Sequence, residues 1–155
     1  RPHPEYVKRY GHRMDAIVAK YQDYSGEDLT FELDFSGNSS IFEADLVITD
    51  WSGTAYEFSF ITCKPSVFID TRPKINNHEY TKLGIEPLEF SLRNKIGIRV
   101  EPSKVDGLLE KVNQLDREAD KYKETILEIR NMYISNFGHS GELGCKHIID
   151  SLKAK

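Results

Sequence analysis

Cysteine and tryptophan are scarce in this chain, with two of the first and one of the second. Cys63 and Cys145 lie far apart and share no CxxC spacing, which excludes a disulfide framework or thiolate metal knuckle and fits a reducing, cytoplasmic setting. Cys63 stands in an apolar helical stretch beside Lys64-Pro65, so packing rather than nucleophilic chemistry is expected of it. No apolar run is long enough to span a bilayer, and no basic amphipathic segment argues for direct membrane contact. Positive charge is not in excess either: 21 Lys and Arg face 25 Asp and Glu, a net charge of -4, which gives no footing for extended nucleic-acid contacts. GxGxxG, the Walker A pattern, HExxH and compact clusters of His, Asp and Cys are all missing from the sequence. Neither a dinucleotide, a P-loop nor a metal is indicated, and no cofactor is expected.

What is present suffices for a single domain with a core, at 155 residues, 39% hydrophobic and 30% charged. The organising stretch is residues 44–58, ADLVITDWSGTAYEF. Leu46-Val47-Ile48 has the length and β-branched content of a buried strand, and a polar turn separates it from an apolar period starting at Tyr56. In open α/β sheets, ligands bind beyond the carboxyl ends of strands, where a helix start offers N–H groups and the positive end of its dipole to an anion. Asp50, Ser52 and Thr54 therefore occupy the place where a phosphate would be held. Ordinary N-capping by Asp50 and Ser52 would account for those two residues equally well.

Upstream, Arg1-Pro2-His3-Pro4 reads as the end of a strand and its turn, cut from something longer. Pro4 is placed to open a helix with Tyr6, Tyr10, Met14, Ile17, Tyr21 and Tyr24 on one face, a stripe expected to be core against a sheet, ending near Ser25-Gly26. Residues 29–33 alternate apolar and polar and predict a short strand near a sheet edge. A loop rich in Asp, Asn, Ser and Gly at 34–40 leads to a short helical segment at 40–44.

Downstream, the pattern predicts a short helix at 56–61 stopped before Lys64-Pro65, a strand at 65–70 and another at 96–100. Strand, helix and strand in that order make a βαβ unit and a parallel sheet. Residues 71–93 show no sustained period and predict a long irregular connection. Two helical runs follow, with Val105, Leu108, Leu109, Val112 and Leu115 on one face and Tyr122, Ile126, Ile129 and Tyr133 on another, and then a closing helix at 142–152. The expected fold class is α/β, a Rossmann-like, mainly parallel sheet flanked by helices. That fold hosts many activities, so function must come from the site.

Two strand-end turns carry the polar chemistry. Arg1 and His3 bring a guanidinium and an imidazole to one, and Thr49 to Thr54 bring hydroxyls, a carboxylate and a glycine-relaxed backbone to the other. Facing one cleft, they would suit a diphosphate. His3 is read with equal weight as a plain cap or turn residue.

The RPHP turn, the stretch DLVITDWSGTAYEF and the strand KPSVFI together resemble the C-terminal half of the CDP-glycerol glycerophosphotransferase family, the GT-B-like enzymes of teichoic-acid and capsular polymer synthesis. The likeness is strongest over residues 44–70, reaches back to Arg1 and is faint at 136–149. It implies the donor-nucleotide domain of a GT-B pair, truncated from a larger two-domain transferase whose N-terminal acceptor domain is missing. In that family an acceptor hydroxyl attacks the glycerol-bearing phosphorus of CDP-glycerol and CMP leaves, at the cytoplasmic face of the membrane. His3 matches the family's C-terminal histidine, as donor or general acid to the diphosphate. Arg1 belongs to the same turn. Thr49, Ser52, Gly53 and Thr54 match the phosphate-binding turn, Asp50 stands with them among the substrate-binding residues, and Glu57 takes the place of an acidic residue that reaches the ribose or orients the turn. Trp51 stands where Tyr is common, and Gly53 where a second Ser is common. The family's general base lies in the missing half, so this chain alone is expected to bind nucleotide weakly and to catalyse nothing. A transferase or epimerase using a UDP- or GDP-sugar, and a non-catalytic α/β interaction domain, are the alternatives.

Overall fold

Parallel pairing of three short strands sets the layout. The computed structural model describes residues 1–26, 28–34, 37, 39–73 and 79–153. The chain divides into two compact units, Arg1–Ser40 and Ile41–Lys155, each of which is described by itself.

In the first unit Pro4 opens α1 (Pro4–Arg9), where its missing N–H costs nothing and its φ is already helical. The long helix expected here is broken at Tyr10 (φ -131°, ψ 38°), after which come α2 (Gly11–Lys20) and a 3-10 turn, Gln22–Tyr24. Gly11, a poor helix former, sits at the break. The tyrosine stripe consequently loses its common face. Met14 is its one buried member, and Tyr10, Tyr21 and Tyr24 are exposed. Arg13 lies 5.2 Å over the Tyr10 ring and Lys20 5.1 Å over the Tyr21 ring, so cations cover what a sheet was expected to cover. Residues 29–33 do not form the expected strand. Leu29 makes only an isolated bridge to Ser25, because no second strand runs beside it among the described residues to complete a ladder. The loop at 34–40 lies partly outside the described residues, and α3 (Ser39–Glu43) follows it.

In the second unit β1 (Val47–Thr49), β2 (Ser66–Ile69) and β3 (Gly97–Val100) form a parallel sheet in the order β1-β2-β3. Val47 pairs with Ser66, and Ser66 with Gly97. Between β1 and β2 runs α4 (Thr54–Thr62). The connection expected to be irregular contains α5 (Tyr80–Leu83) and α6 (Leu88–Ser91), with α7 (Arg93–Ile96) leading directly into β3; residues 74–78 lie outside the description. After β3 come a 3-10 segment, Pro102–Gly107, then α8 (Leu108–Arg117), α9 (Ala119–Tyr133) and α10 (Ser140–Lys153).

Successive side chains of β2 point to opposite faces, and both faces are covered. Val67 packs with Val100 and with Leu115 of α8. Phe68 packs with Ala55 and Phe60 of α4, Leu92 and Ile96 around α7, and Ile126 and Ile129 of α9. A strand buried on both sides has no reason to alternate, which is why Val67-Phe68-Ile69 reads as a continuous apolar run. The observed class is thus α/β, with a small open parallel sheet between helices.

Cys63 is not inside a helix as expected. It is the C-cap of α4, in the left-handed conformation (φ 59°, ψ 22°), two residues before Pro65 stops the helix. Its sulfur lies 3.7 Å from Arg130 Nη1. By contrast α10 buries no residue, and Ile148 and Leu152 on it are 60% and 70% exposed. Among the described residues no helix is long and apolar enough to cross a membrane.

Gly97 has extended backbone but no room: a Cβ there would lie 1.8 Å from the carbonyl oxygen of Ser66 and 3.1 Å from Phe68 Cε2. Gly97→Ala is expected to cost about 3 kcal/mol of unfolding free energy or more, because backbone of the central strand must move, and urea denaturation measures this directly.

Candidate functional site at the carboxyl ends of the strands

The turn after β1 is shaped by three local choices. Thr49 ends the strand, Asp50 and Gly53 are exposed, and Ser52 is half-buried at the start of α4. Gly53 already has helical dihedrals (φ -60°, ψ -26°), so the capping oxygen comes from one residue earlier: Ser52 Oγ accepts the Thr54 N–H at 3.3 Å. The Ser52 hydroxyl proton stays available to donate to an anion. Glu57 is exposed in the first turn of the helix.

Beneath this turn lies a residue that sequence patterns did not single out. Arg93, at the start of α7, is 1% exposed. Its Nη1 donates to the Asp50 carbonyl at 2.8 Å, and its Nη2 donates to Asp70 Oδ1 at 2.8 Å. The guanidinium carbon lies 3.9 Å from the centroid of Trp51 and 4.6 Å from that of Phe68. Trp51 is held in turn, its Nε1 donating to the Thr71 carbonyl at 3.0 Å and its ring 4.9 Å from Phe90. A buried guanidinium needs partners for its charge and its donors, and here the carboxylate, a turn carbonyl and two aromatic faces supply them for all but its Nε. The turn after β1 and the residue after β2 are thereby tied to one group.

Asp70 has a second partner. Arg99 of β3 donates from Nε to Oδ2 at 2.8 Å, and its Nη2 lies 2.7 Å from the same oxygen. Partial burial would raise the Asp70 carboxyl, but hydrogen bonds and charge from Arg99 and Arg93 outweigh it and hold the group below the ordinary carboxylate value. Tyr56 on α4 donates to the Glu89 carbonyl at 2.7 Å, and burial pushes its hydroxyl up to about 12, Arg93 opposing and Glu89 adding.

Thr49, Asp50, Ser52, Gly53, Thr54 and Glu57 are brought together at one strand end by the geometry of the second unit. Arg1 and His3 belong to the first. There His3 Nδ1 accepts the Glu5 N–H at 3.1 Å, making His3 the N-cap of α1. In the neutral ring this leaves the proton on Nε2. Arg1 Nη1 lies 3.7 Å from Glu32 Oε1. The missed residues carried some signal: Asp70 follows a strand just as Asp50 does, and Arg99 stands in one. Arg93 carried none, since it lies at the end of a stretch without period.

Both flanks of the pH range should report this cluster. Asp70 has a depressed folded value, so its contribution is full above the unfolded value of 3.8 and is lost as pH falls through the folded one. Tyr56 has a raised value, so its contribution is full below 10.0 and disappears as pH rises toward about 12. Unfolding free energy measured against pH should fall on both sides, with Asp70→Asn flattening the acid limb and Tyr56→Phe the alkaline one. Arg93→Met should lower stability by about 3 kcal/mol and alter Trp51 emission, since it strips the Asp50 carbonyl of its donor and Trp51 of its cation.

Compared with protein-family models, with curated proteins and with solved structures, this chain matches none.

Proposed function

We propose that this chain is the donor-nucleotide half of a glycerophosphotransferase of the CDP-glycerol type. The diphosphate of the donor rests on the turn after β1, an acceptor hydroxyl attacks the glycerol-bearing phosphorus, and CMP departs with the bridging oxygen. The observation that carries this reading is the turn itself: hydroxyls of Thr49, Ser52 and Thr54 at the carboxyl end of a parallel strand and the start of a helix, fastened from below by a buried arginine. Charge spread over phosphoryl oxygens is stabilised by fixed donors, and a turn pinned by Arg93 loses little order when it binds. Ser52 both caps Thr54 and keeps a proton to give. His3 caps α1 in the first unit, its Nδ1 accepting the Glu5 N–H, and Nε2 remains the ring position that can carry a proton. In this reading the chain is one GT-B half, Glu57 serves the ribose, and the acceptor and general base come from the other half, at the inner face of the cytoplasmic membrane.

One specific observation favours a second reading. Ser52 and His3 each accept a backbone N–H at the start of a helix, so both could be caps in a non-catalytic interaction domain.

Titration with CDP-glycerol, CDP, UDP and GDP, followed by emission of the single tryptophan, Trp51, separates the readings. A saturable response to CDP-glycerol and CDP is expected, about tenfold weaker in Ser52→Ala, where one donor to a phosphoryl oxygen is gone. Preference for UDP or GDP overturns the glycerophosphate assignment in favour of a sugar-nucleotide enzyme. No response to any nucleotide, with Ser52→Ala and His3→Ala each costing only about 1 kcal/mol of stability, sinks the transferase reading altogether.

A further inference from the structure

Beside the ends of β2 and β3 and the start of α8 lies a pocket of about 630 Å³, within the size range of small-molecule sites. Arg99 and Lys111 line it, and so do Asp70, Glu101, Lys104 and Glu110. We infer that this pocket is a binding site for a compact phosphorylated anion, with Arg99 and Lys111 as the residues that grip it. The inference stands independently of the proposed function.

Asp70 is one carboxylate held by two guanidiniums, Arg93 and Arg99, so the trio carries one uncompensated positive charge. The two arginines differ in freedom. Arg93 is committed, with its side chain 2% exposed and another of its nitrogens on the Asp50 carbonyl. Arg99 has a side chain 43% exposed and lies in the pocket wall. It can turn to a ligand while Asp70 stays paired with Arg93, exchanging one charge-assisted contact for another without leaving a carboxylate unmatched.

Lys111 supplies the second cation. It is half-buried, and the contact of its Nζ is with the neutral amide oxygen of Gln114 at 3.5 Å; among the described residues it makes no ion pair. Lys104 is already matched to Glu101 at 3.0 Å, both well exposed, and forms part of the rim. Of the three lining carboxylates, Asp70 is paired with Arg93 and Glu101 with Lys104, and the exposed Glu110 in the first turn of α8 opposes an anion, which favours a small ligand seated toward Arg99 over a long polyanion. Phosphate suits the two cations better than a single carboxylate does, because it brings up to two negative charges and three or more acceptor oxygens against one charge and two oxygens.

Inorganic phosphate and a phosphomonoester, glycerol phosphate, are the probes, with acetate as the carboxylate control. Binding is read by calorimetry and by backbone amide shifts on the full chain. Saturable phosphate binding that weakens with added salt is expected, with shifts centred on residues 99–111. Arg99→Gln and Lys111→Gln should each weaken it about tenfold. Lys121→Gln, at an exposed cation outside the pocket lining, should leave it unchanged. Arg99→Gln keeps the Arg93–Asp70 pair, and circular dichroism checks that it folds; Lys111→Gln, on a partly exposed helix position, provides the independent test. The inference fails if phosphate does not saturate, if acetate binds equally well, or if the Arg99→Gln/Lys111→Gln double variant binds as tightly as the parent. Binding lost only in Ser52→Ala would assign the phosphate to the turn after β1 and overturn the pocket site.

Discussion

Burying the Arg93 guanidinium is the constraint on which the architecture of the strand ends depends. A charge that leaves water must be matched, and each match here recruits a different part of the chain: the carbonyl of Asp50 after β1, the carboxylate of Asp70 after β2, and the rings of Trp51 and Phe68. The Nε of the same group has no partner among the described residues, so this matching is incomplete and the remaining contacts bear the desolvation cost. A turn that would otherwise be a mobile polar loop is thereby given one conformation. Trp51 belongs to this arrangement through its ring, which a tyrosine could not reproduce in area or in N–H donation to Thr71.

The rest of the second unit follows from sheet geometry. With Val67 and Phe68 pointing oppositely, two separate apolar clusters are needed to cover one strand, and α8 and α9 exist to provide them. Gly97 allows β3 to approach β2 at Ser66, and Ser66 in turn meets the hydroxyl of Ser59 at 3.2 Å, satisfying a fully buried polar pair. Small residues thus concentrate where helix and strands come closest.

Much of the second unit was legible in the sequence because local signals there agree with the tertiary outcome. The β-branched runs at Val47 and Val67, the stop at Pro65 and the apolar faces through Leu115 and Ile126 each have one physical interpretation, and the sheet realises it. The first unit was less legible. Spacing placed six residues from Tyr6 to Tyr24 on one face, but periodicity presumes a continuous helix, and the break at Tyr10 and Gly11 removes that premise. Alternation at residues 29–33 described what a strand would look like, whereas a strand exists only with a neighbour. At the site, the turn from Thr49 to Thr54 was visible as composition at a strand end. Its anchor was not, because the link from Arg93 to Asp50 spans 43 positions and leaves no local trace.

The terminal helix has a consequence of its own. With no buried side chain, α10 takes little from packing, and fourteen residues carrying Gly141 and Gly144 are close to the length at which an isolated helix in water is only marginally populated. Its order therefore depends more on temperature and solvent than on the sheet, and its amides should exchange with deuterium ahead of the melting of the strands.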